Sequence, residues 1–176
     1  MIFYVDEAGV GLLPSAGKTY APKGKTPVIR HKCRYKHLCL ISAICDRGKM
    51  FWNLRSGAFK GGSIVQFLKD LLDFAKKKIL IIWDGASIHR SKEVKSFLTS
   101  LHEDEVWLEC IPPYSPELNA DEQVWNYLKA VLLKNVCAHD LKELESNVKY
   151  AMEIIEESPD LICSFFNHPK VGYYHL

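Results

Sequence analysis

Two aspartates each follow a short, wholly apolar run, and this arrangement could carry chemistry. The run Ile2-Phe3-Tyr4-Val5 leads into Asp6, and the run Ile79-Leu80-Ile81-Ile82-Trp83 leads into Asp84. Apolar strands of this kind are buried in the centre of a sheet, and the crevice beyond their carboxyl ends is the usual binding site. Two carboxylates there repel each other unless one takes a proton or both hold a cation. The pair therefore predicts a metal site, although either aspartate alone could simply cap a loop.

A third acid lies in a proline-rich stretch further along the chain. Residues 112–125 read PPYSPELNADEQVW and contain the acid doublet Asp121-Glu122 near the expected start of a helix. Helical periodicity does not separate the two acids, because each aligns with a large apolar residue three positions further on. Asn119 followed by Glu122 also resembles a capping box, in which the glutamate only bonds the helix start. Glu122 as a ligand, Asp121 as the ligand and a pure cap all stay open at this point.

These segments together resemble a known family. Mariner-type transposases, and the bacterial insertion-sequence transposases related to them, carry a proline-tyrosine-serine-proline segment. Leucine-asparagine-proline, an apolar residue, a glutamate and a tryptophan follow it. The stretch 112–125 resembles that pattern, and so do Val5-Asp6-Glu7, Tyr20-Ala21-Pro22-Lys23-Gly24 and the sequence DGASIH at 84–89. The resemblance runs from residue 2 to about residue 130 in the family's order.

The resemblance implies a metal-dependent nuclease of the DDE type. The family's catalytic triad falls on Asp6, Asp84 and Glu122, which would hold two divalent ions, normally Mg²⁺ with Mn²⁺ as a substitute. One ion activates water or a DNA 3′-hydroxyl, and the other stabilises the leaving oxygen. The expected reactions are cleavage of a transposon end and attack of the freed 3′-hydroxyl on target DNA. The chain departs from the family's pattern at three positions, where asparagine, proline and an apolar residue are usual: Gly85, Ala120 and Asp121.

The elements expected around these acids form an α/β fold. Apolar and alternating runs predict strands at 2–5 (closed by Asp6 and a glycine loop), 37–45, 49–55, 79–83 and 106–111. Apolar stripes predict helices over 63–77, 91–102, 119–134 and 140–157. Residues 18–30 contain prolines and are typical of a loop or a broken edge strand. This order predicts a mixed sheet with helices on both faces, and the resemblance implies a ribonuclease H-like fold with a central mixed five-stranded sheet.

A basic stretch indicates a polyanionic partner. No Asp or Glu occurs between Ala8 and Cys45, where seven cations fall: Lys18, Lys23, Lys25, Arg30, Lys32, Arg34 and Lys36. We expect DNA to bind there through its backbone, without sequence preference, with an ordinary solvated surface as the alternative. His89 and Lys129 are further candidates for DNA contact, although His89 could be structural and Lys129 merely solvated. Trp125 is more typical of a core residue than of a base-stacking platform, and Glu7 could at most support a ligand.

The composition excludes other classes of protein. The 176 residues fit one domain, and 48% hydrophobic with 25% charged residues is normal for a globular protein. The apolar runs are far shorter than the ~20 residues of a membrane span. The start at Met1 shows no signal peptide, which predicts a cytoplasmic protein. The six cysteines include no C-x-x-C pair, so they indicate reduced thiols rather than a zinc site.

Family members usually carry helix-turn-helix modules upstream, which read the transposon ends. Because Met1 opens the first strand, we expect residues 1–176 to be a single DDE catalytic domain without these modules, as in the second frame of a split transposase or a truncated copy. The expected partners are transposon-end and target DNA, a second copy in a homodimer, and a separate helix-turn-helix protein from an upstream frame. An idle remnant that only binds DNA or protein is the alternative. A phosphoryl-accepting receiver domain would need a helix directly after the first strand, where further strands are predicted instead.

Overall fold

Five strands form one mixed sheet. The computed structural model describes residues 1–15, 17–18, 20–25, 27–28, 36–101, 106–112 and 114–167. In these ranges the strands are β1 (Ile2–Gly11), β2 (His37–Cys45), β3 (Lys49–Ser56), β4 (Ile79–Trp83) and β5 (Val106–Cys110). The helices are α1 (Gly61–Ala75), α2 (Lys92–Ser100), α3 (Glu122–Tyr127), α4 (Leu141–Glu156) and α5 (Pro159–Phe165). Short 3₁₀ turns span Ser87–Arg90 and Pro116–Leu118, and α3 continues into a π-helical turn at Leu128–Leu132.

β1 lies at the centre of the sheet, whose strand order is β3-β2-β1-β4-β5. β2 pairs with β1 and with β3 in antiparallel fashion. β4 pairs with β1 and with β5 in parallel fashion. Gly48 adopts a φ of 69° in the tight turn between β2 and β3, a conformation that glycine reaches without steric cost. The predicted five-stranded mixed sheet is confirmed.

The central strands bury a separate apolar core on each face. On one face, Phe3 and Val5 pack with Ile81 against α1 and α2. On the other face, Tyr4 packs against residues of α3, α4 and α5. Burial of each large apolar side chain stabilises the fold by about 1.5–3 kcal/mol. The prediction of helices on both faces is confirmed, and Asp6 shares the face of Tyr4 because side chains alternate along a strand.

The first strand is longer than the sequence predicts. The prediction ends it at Val5, whereas β1 continues through Asp6 to Gly11. The reason is that β2 supplies antiparallel partners along this whole length, up to the pair Gly11↔His37. Parallel pairing with β4 stops at Tyr4↔Ile82. The prediction that Asp6 closes the strand is therefore wrong, but Asp6 does lie where the neighbouring strand β4 comes to its end.

The other predicted elements are present, with shifted ends. The largest shift is in α3, which begins at Glu122 rather than 119, because residues 116–118 form a separate 3₁₀ turn. α5 is not predicted from the sequence, since seven residues are too few to show a clear apolar stripe. The stretch 18–30 lies partly outside the described residues, and those of its residues that are described belong to no strand. Among the helices of the described ranges, none is long and apolar enough to cross a membrane.

Candidate metal centre

The three predicted ligands line one pocket at the edge of the sheet. Asp6 comes from β1, Asp84 directly follows β4, and Glu122 opens α3. The pocket has a volume of about 570 Å³. β1 and β4 are paired in parallel with Tyr4 opposite Ile82, so the two aspartates, each two residues further along its strand, come level with each other. The structure thus brings together the three carboxylates that the resemblance implies.

Asp6 is buried, with 8% of its surface exposed. The indole N–H of Trp125 donates to Asp6 Oδ2 over 3.0 Å, so this core tryptophan also orients a carboxylate. Burial raises the pKa of Asp6 to about 7, and the negative charge of Glu122 adds to the rise. The Glu7 backbone N–H and Trp125 oppose it. A bound cation would reverse this effect, because a nearby positive charge favours the ionised carboxylate.

The acid doublet separates into two environments. Glu122 is half-buried and lines the pocket, whereas Asp121 is fully buried and is not among the lining residues. The Ser42 Oγ lies 2.8 and 2.7 Å from the two carboxyl oxygens of Asp121. Burial and the charge of Asp6 raise the pKa of Asp121 well above its usual range, against hydrogen bonds from Ser42 and the Asp6 backbone. The geometry favours Glu122 over Asp121 as the third ligand.

Asn119 ties the start of α3 to β1. Its side-chain N–H donates to the Val5 carbonyl over 3.2 Å, and its side-chain oxygen accepts from the Asp121 backbone N–H over 3.1 Å. The N-cap of α3 is Asp121, and within the described residues no side-chain hydrogen bond caps this helix. The capping-box interpretation of Asn119 and Glu122 is therefore wrong. Sequence reasoning missed the role of Asn119, for which its place in the family-like motif was a signal.

His89 joins Asp84 to Glu7. The imidazole ring is buried and stacks on Trp83, with 4.0 Å between ring centroids and 2° between planes. Nε2 lies 2.8 Å from Glu7 Oε1, and Nδ1 lies 3.0 Å from the Asp84 carbonyl oxygen and 3.1 Å from Asp84 Oδ1. Burial lowers the pKa of His89, but the hydrogen bonds and charges of Glu7 and Asp84 together raise it above its usual value. This environment favours a structural role for His89 over the predicted DNA contact, and it gives Glu7 a supporting role.

The donor set of the pocket fits a hard divalent cation. Asp6, Asp84 and Glu122 offer only carboxylate oxygens, the ligands that Mg²⁺ prefers. Glu7, Asp84 and His89 form another compact group, whose potential ligand atoms lie within 4.8 Å of one another. There the imidazole nitrogens already bond to the two carboxylates, so we interpret this group as a support for Asp84.

Arg90 and Tyr114 also line the pocket, and neither is predicted from the sequence as a site residue. Arg90 is exposed, and among the described residues no acid forms an ion pair with it. The ring of Tyr114 is fully exposed, and its φ of 59° lies in the left-handed region that few non-glycine residues adopt. A cation and an open aromatic ring beside carboxylates suit a nucleic-acid strand, which offers phosphates and stackable bases. The only signal in the sequence was their position, since Arg90 directly follows the family-like segment 84–89 and Tyr114 lies within the segment 112–125.

The predicted DNA-binding cations are only partly placed. Lys18, Lys23 and Lys25 are exposed on the connection between β1 and β2. Arg30 lies outside the described residues. Lys129 is half-buried and lines a different cavity of about 200 Å³, near the far end of β1. The structure therefore does not bring Lys129 together with the carboxylates.

Known proteins match both the sequence and the fold. The family profile described as DDE superfamily endonuclease matches residues 1–145. The insertion element IS630 uncharacterized 39 kDa protein of Shigella sonnei is 26% identical over 162 residues, which are 90% of this chain and 46% of that protein. The Mos1 mariner paired-end complex with Mn has a TM-score of 0.67 at 14% identity and covers 97% of this chain and 55% of its own. The Mos1 strand transfer complex has a TM-score of 0.61 at 16% identity, with 93% and 53% covered.

The chain spans about half the length of these relatives. The likeness to the Mos1 structures confirms the predicted ribonuclease H-like α/β fold. The matched residues 1–145 hold β1, β4 and α3, the elements that carry the three acids. The chain belongs to the DDE superfamily of endonucleases.

Proposed function

We propose that this chain is the catalytic domain of a DDE transposase, which uses divalent metal ions to cleave DNA and to transfer the cut strand to a target. The observation that carries the proposal is that Asp6, Asp84 and Glu122 converge from three elements on one pocket, in a chain of the DDE endonuclease family. The Mos1 assemblies of similar fold are a paired-end complex with Mn and a strand transfer complex. They support DNA as the substrate and a divalent cation as the cofactor.

In the proposed reaction, Asp6, Asp84 and Glu122 would hold two Mg²⁺ or Mn²⁺ ions, which would supply Lewis-acid activation of the attacking oxygen and stabilisation of the leaving oxygen. Water attacks a phosphodiester and the bond from phosphorus to the 3′-oxygen breaks, leaving a 3′-hydroxyl and a 5′-phosphate. That 3′-hydroxyl then attacks a target phosphodiester and displaces the target's own 3′-oxygen. Trp125 holds Asp6 and His89 holds Asp84, so the ligands are oriented before DNA arrives. Removal of supporting hydrogen bonds of this kind typically lowers metal affinity or activity by about 10- to 100-fold.

The scissile strand would lie along the wall formed by Arg90 and Tyr114. Arg90 is exposed and lines the pocket, and a guanidinium can bind a phosphate oxygen in bidentate fashion. The exposed Tyr114 ring offers a face to a deoxyribose or a base. The cations at Lys18, Lys23 and Lys25 would contact the DNA backbone further from the cleavage point.

Recognition of the transposon ends would need more than this chain. We infer that residues 1–176 act as one catalytic domain, beside a helix-turn-helix module that reads the ends. The chain's share of about half of each relative supports this division. We also propose a homodimer as the active assembly, in which each copy would act on one of two paired ends.

Chelation of divalent ions should abolish nicking of DNA by this chain, because the three carboxylates cannot activate an oxygen nucleophile alone. With supercoiled plasmid as substrate, we expect relaxed circles on gels in Mg²⁺ or Mn²⁺ and none in EDTA, with activity restored by added metal. Nicking that persists in EDTA would contradict the metal mechanism. DNA binding without nicking under every metal condition would instead favour the idle remnant.

Removing three cations of the basic stretch should make DNA binding less sensitive to salt. Each phosphate neutralised contributes roughly 0.9 to the log–log slope of affinity against salt. We therefore expect a clearly shallower slope for the combined variant Lys23→Ala, Lys25→Ala and Arg30→Ala. The measurement is fluorescence anisotropy across a salt series, with transposon-end and scrambled duplexes, which should bind equally.

The control for this variant changes two cations at the end of β4 that is opposite to Asp84. Lys76→Ala with Lys77→Ala alters the opposite end of β4, before its first residue, and should leave the slope unchanged. An unchanged slope in the triple variant would place the DNA on another face. A strong preference for the transposon end would show that end recognition does not need a further module.

A further inference from the structure

A buried hydrogen bond links β2 to the start of α3, behind the metal pocket. Ser42 Oγ lies within 2.8 Å of both carboxyl oxygens of Asp121. Both residues are 0% exposed, and neither lines the pocket. Aspartate is almost never fully buried without a partner, and here the hydroxyl of Ser42 is such a partner. The carboxyl group is therefore placed for contact within the protein rather than for contact with a ligand.

Ser42 and Asp121 are each a neighbour of a proposed metal ligand. Ser42 is the register partner of Asp6 across the β1–β2 pair, and Asp121 directly precedes Glu122 in the chain. The hydrogen bond therefore connects the strand neighbour of Asp6 to the chain neighbour of Glu122. α3 has only six residues and no side-chain cap among the described residues, so contacts such as this one hold its start against the sheet.

An apolar residue at position 121, which is usual in the pattern that this chain resembles, would pack against β2 without a fixed direction. A carboxyl group bonded to a hydroxyl in a buried site fixes both distance and direction. We propose that Ser42 and Asp121 are positioning residues, which set the approach of Glu122 to Asp6 and thereby the affinity of the pocket for a divalent cation. This inference rests on the proposed function of the site.

The test is a titration of the folded chain with Mn²⁺, in which free Mn²⁺ is followed by electron paramagnetic resonance. Ser42→Ala and Asp121→Leu each remove the hydrogen bond, and each should weaken Mn²⁺ binding by about fivefold. Asp121→Asn keeps an acceptor for the Ser42 hydroxyl and should stay within about twofold of the unchanged chain. The double variant of Ser42→Ala and Asp121→Leu should bind about as weakly as either single variant, because both changes remove the same interaction.

A purely structural role would not move Mn²⁺ affinity, so thermal unfolding is measured alongside. Asp140→Ala is the matched control, since it removes the hydrogen bond that caps α4 and should lower Tm without changing Mn²⁺ binding. If Ser42→Ala lowers Tm without changing Mn²⁺ binding, as this control does, the inference is overturned. It is also overturned if Asp121→Asn binds Mn²⁺ as weakly as Asp121→Leu. If Asp121→Leu does not fold, Ser42→Ala and Asp121→Asn decide the question. If the chain without substitutions binds no Mn²⁺, the proposed metal site is overturned, and this inference is overturned with it.

Discussion

Replacing Asp84 by asparagine, or Glu122 by glutamine, is expected to lower the rate of DNA cleavage by about 10³-fold, because each removes a charged ligand where transition-state charge must be stabilised. Both side chains line the pocket without being part of a core, so both variants should stay folded. The measurement is plasmid nicking in Mg²⁺ and in Mn²⁺, with circular dichroism to monitor folding. Full cleavage by either variant would remove that residue from the metal site.

The neighbouring acid gives this experiment a matched control. Asp121→Asn differs from Glu122→Gln by one position in the chain, yet Asp121 faces Ser42 in the interior. We expect it to keep most of the cleavage activity. If Asp121→Asn were the inactive variant and Glu122→Gln only melted earlier, the third ligand would move by one position.

Replacing Asp6 by asparagine is expected to stabilise the metal-free chain at about pH 8 while abolishing cleavage. The pKa of Asp6 is raised from 3.8 to about 7, mainly by burial, so the folded state binds this proton more tightly than the unfolded state. The contribution of this group to stability is therefore constant below about pH 4, falls between about pH 4 and about pH 7, and is fully lost once the buried carboxyl has ionised above that range. Each pKa unit corresponds to about 1.4 kcal/mol, so the gain on neutralising Asp6 is roughly 2 kcal/mol and at most about 4 kcal/mol.

Thermal unfolding of the two metal-free proteins at about pH 5 and about pH 8 measures this effect. A gain of that size should raise Tm by several degrees at the higher pH, since about 2–4 °C corresponds to 1 kcal/mol in a chain of this length. Added Mn²⁺ should raise the Tm of the unchanged chain but hardly that of the variant, because a ligand that binds only the folded state stabilises it. A variant that is less stable than the unchanged chain at both pH values would show that Asp6 is held as a favourable ion without metal.

Local sequence patterns predict most of the chemical groups of the proposed site. Apolar runs that lead into Asp6 and Asp84 predict central strands, since only buried strands are apolar at every position. The motif around Glu122 supplies a third acid by its resemblance to a family. Local patterns therefore sufficed to predict Asp6 and Asp84, the five strands and the helices on both faces, whereas Glu122 was predicted by the resemblance.

The tertiary structure decided which neighbours each of these acids has. β1 extends to Gly11 because β2 pairs with it along this length. Local patterns do not predict this end of the strand, since the partner strand is distant in sequence. Asp121 and Glu122 are adjacent in the chain, but the position of α3 over β1 and β2 buries one and opens the other. The contact of His89 with Glu7 spans 82 positions, and no local pattern encodes such a pairing. The residue types and their order thus come from the sequence, whereas the orientation and protonation of each acid follow from long-range packing, because burial and neighbouring charge exist only in the folded chain.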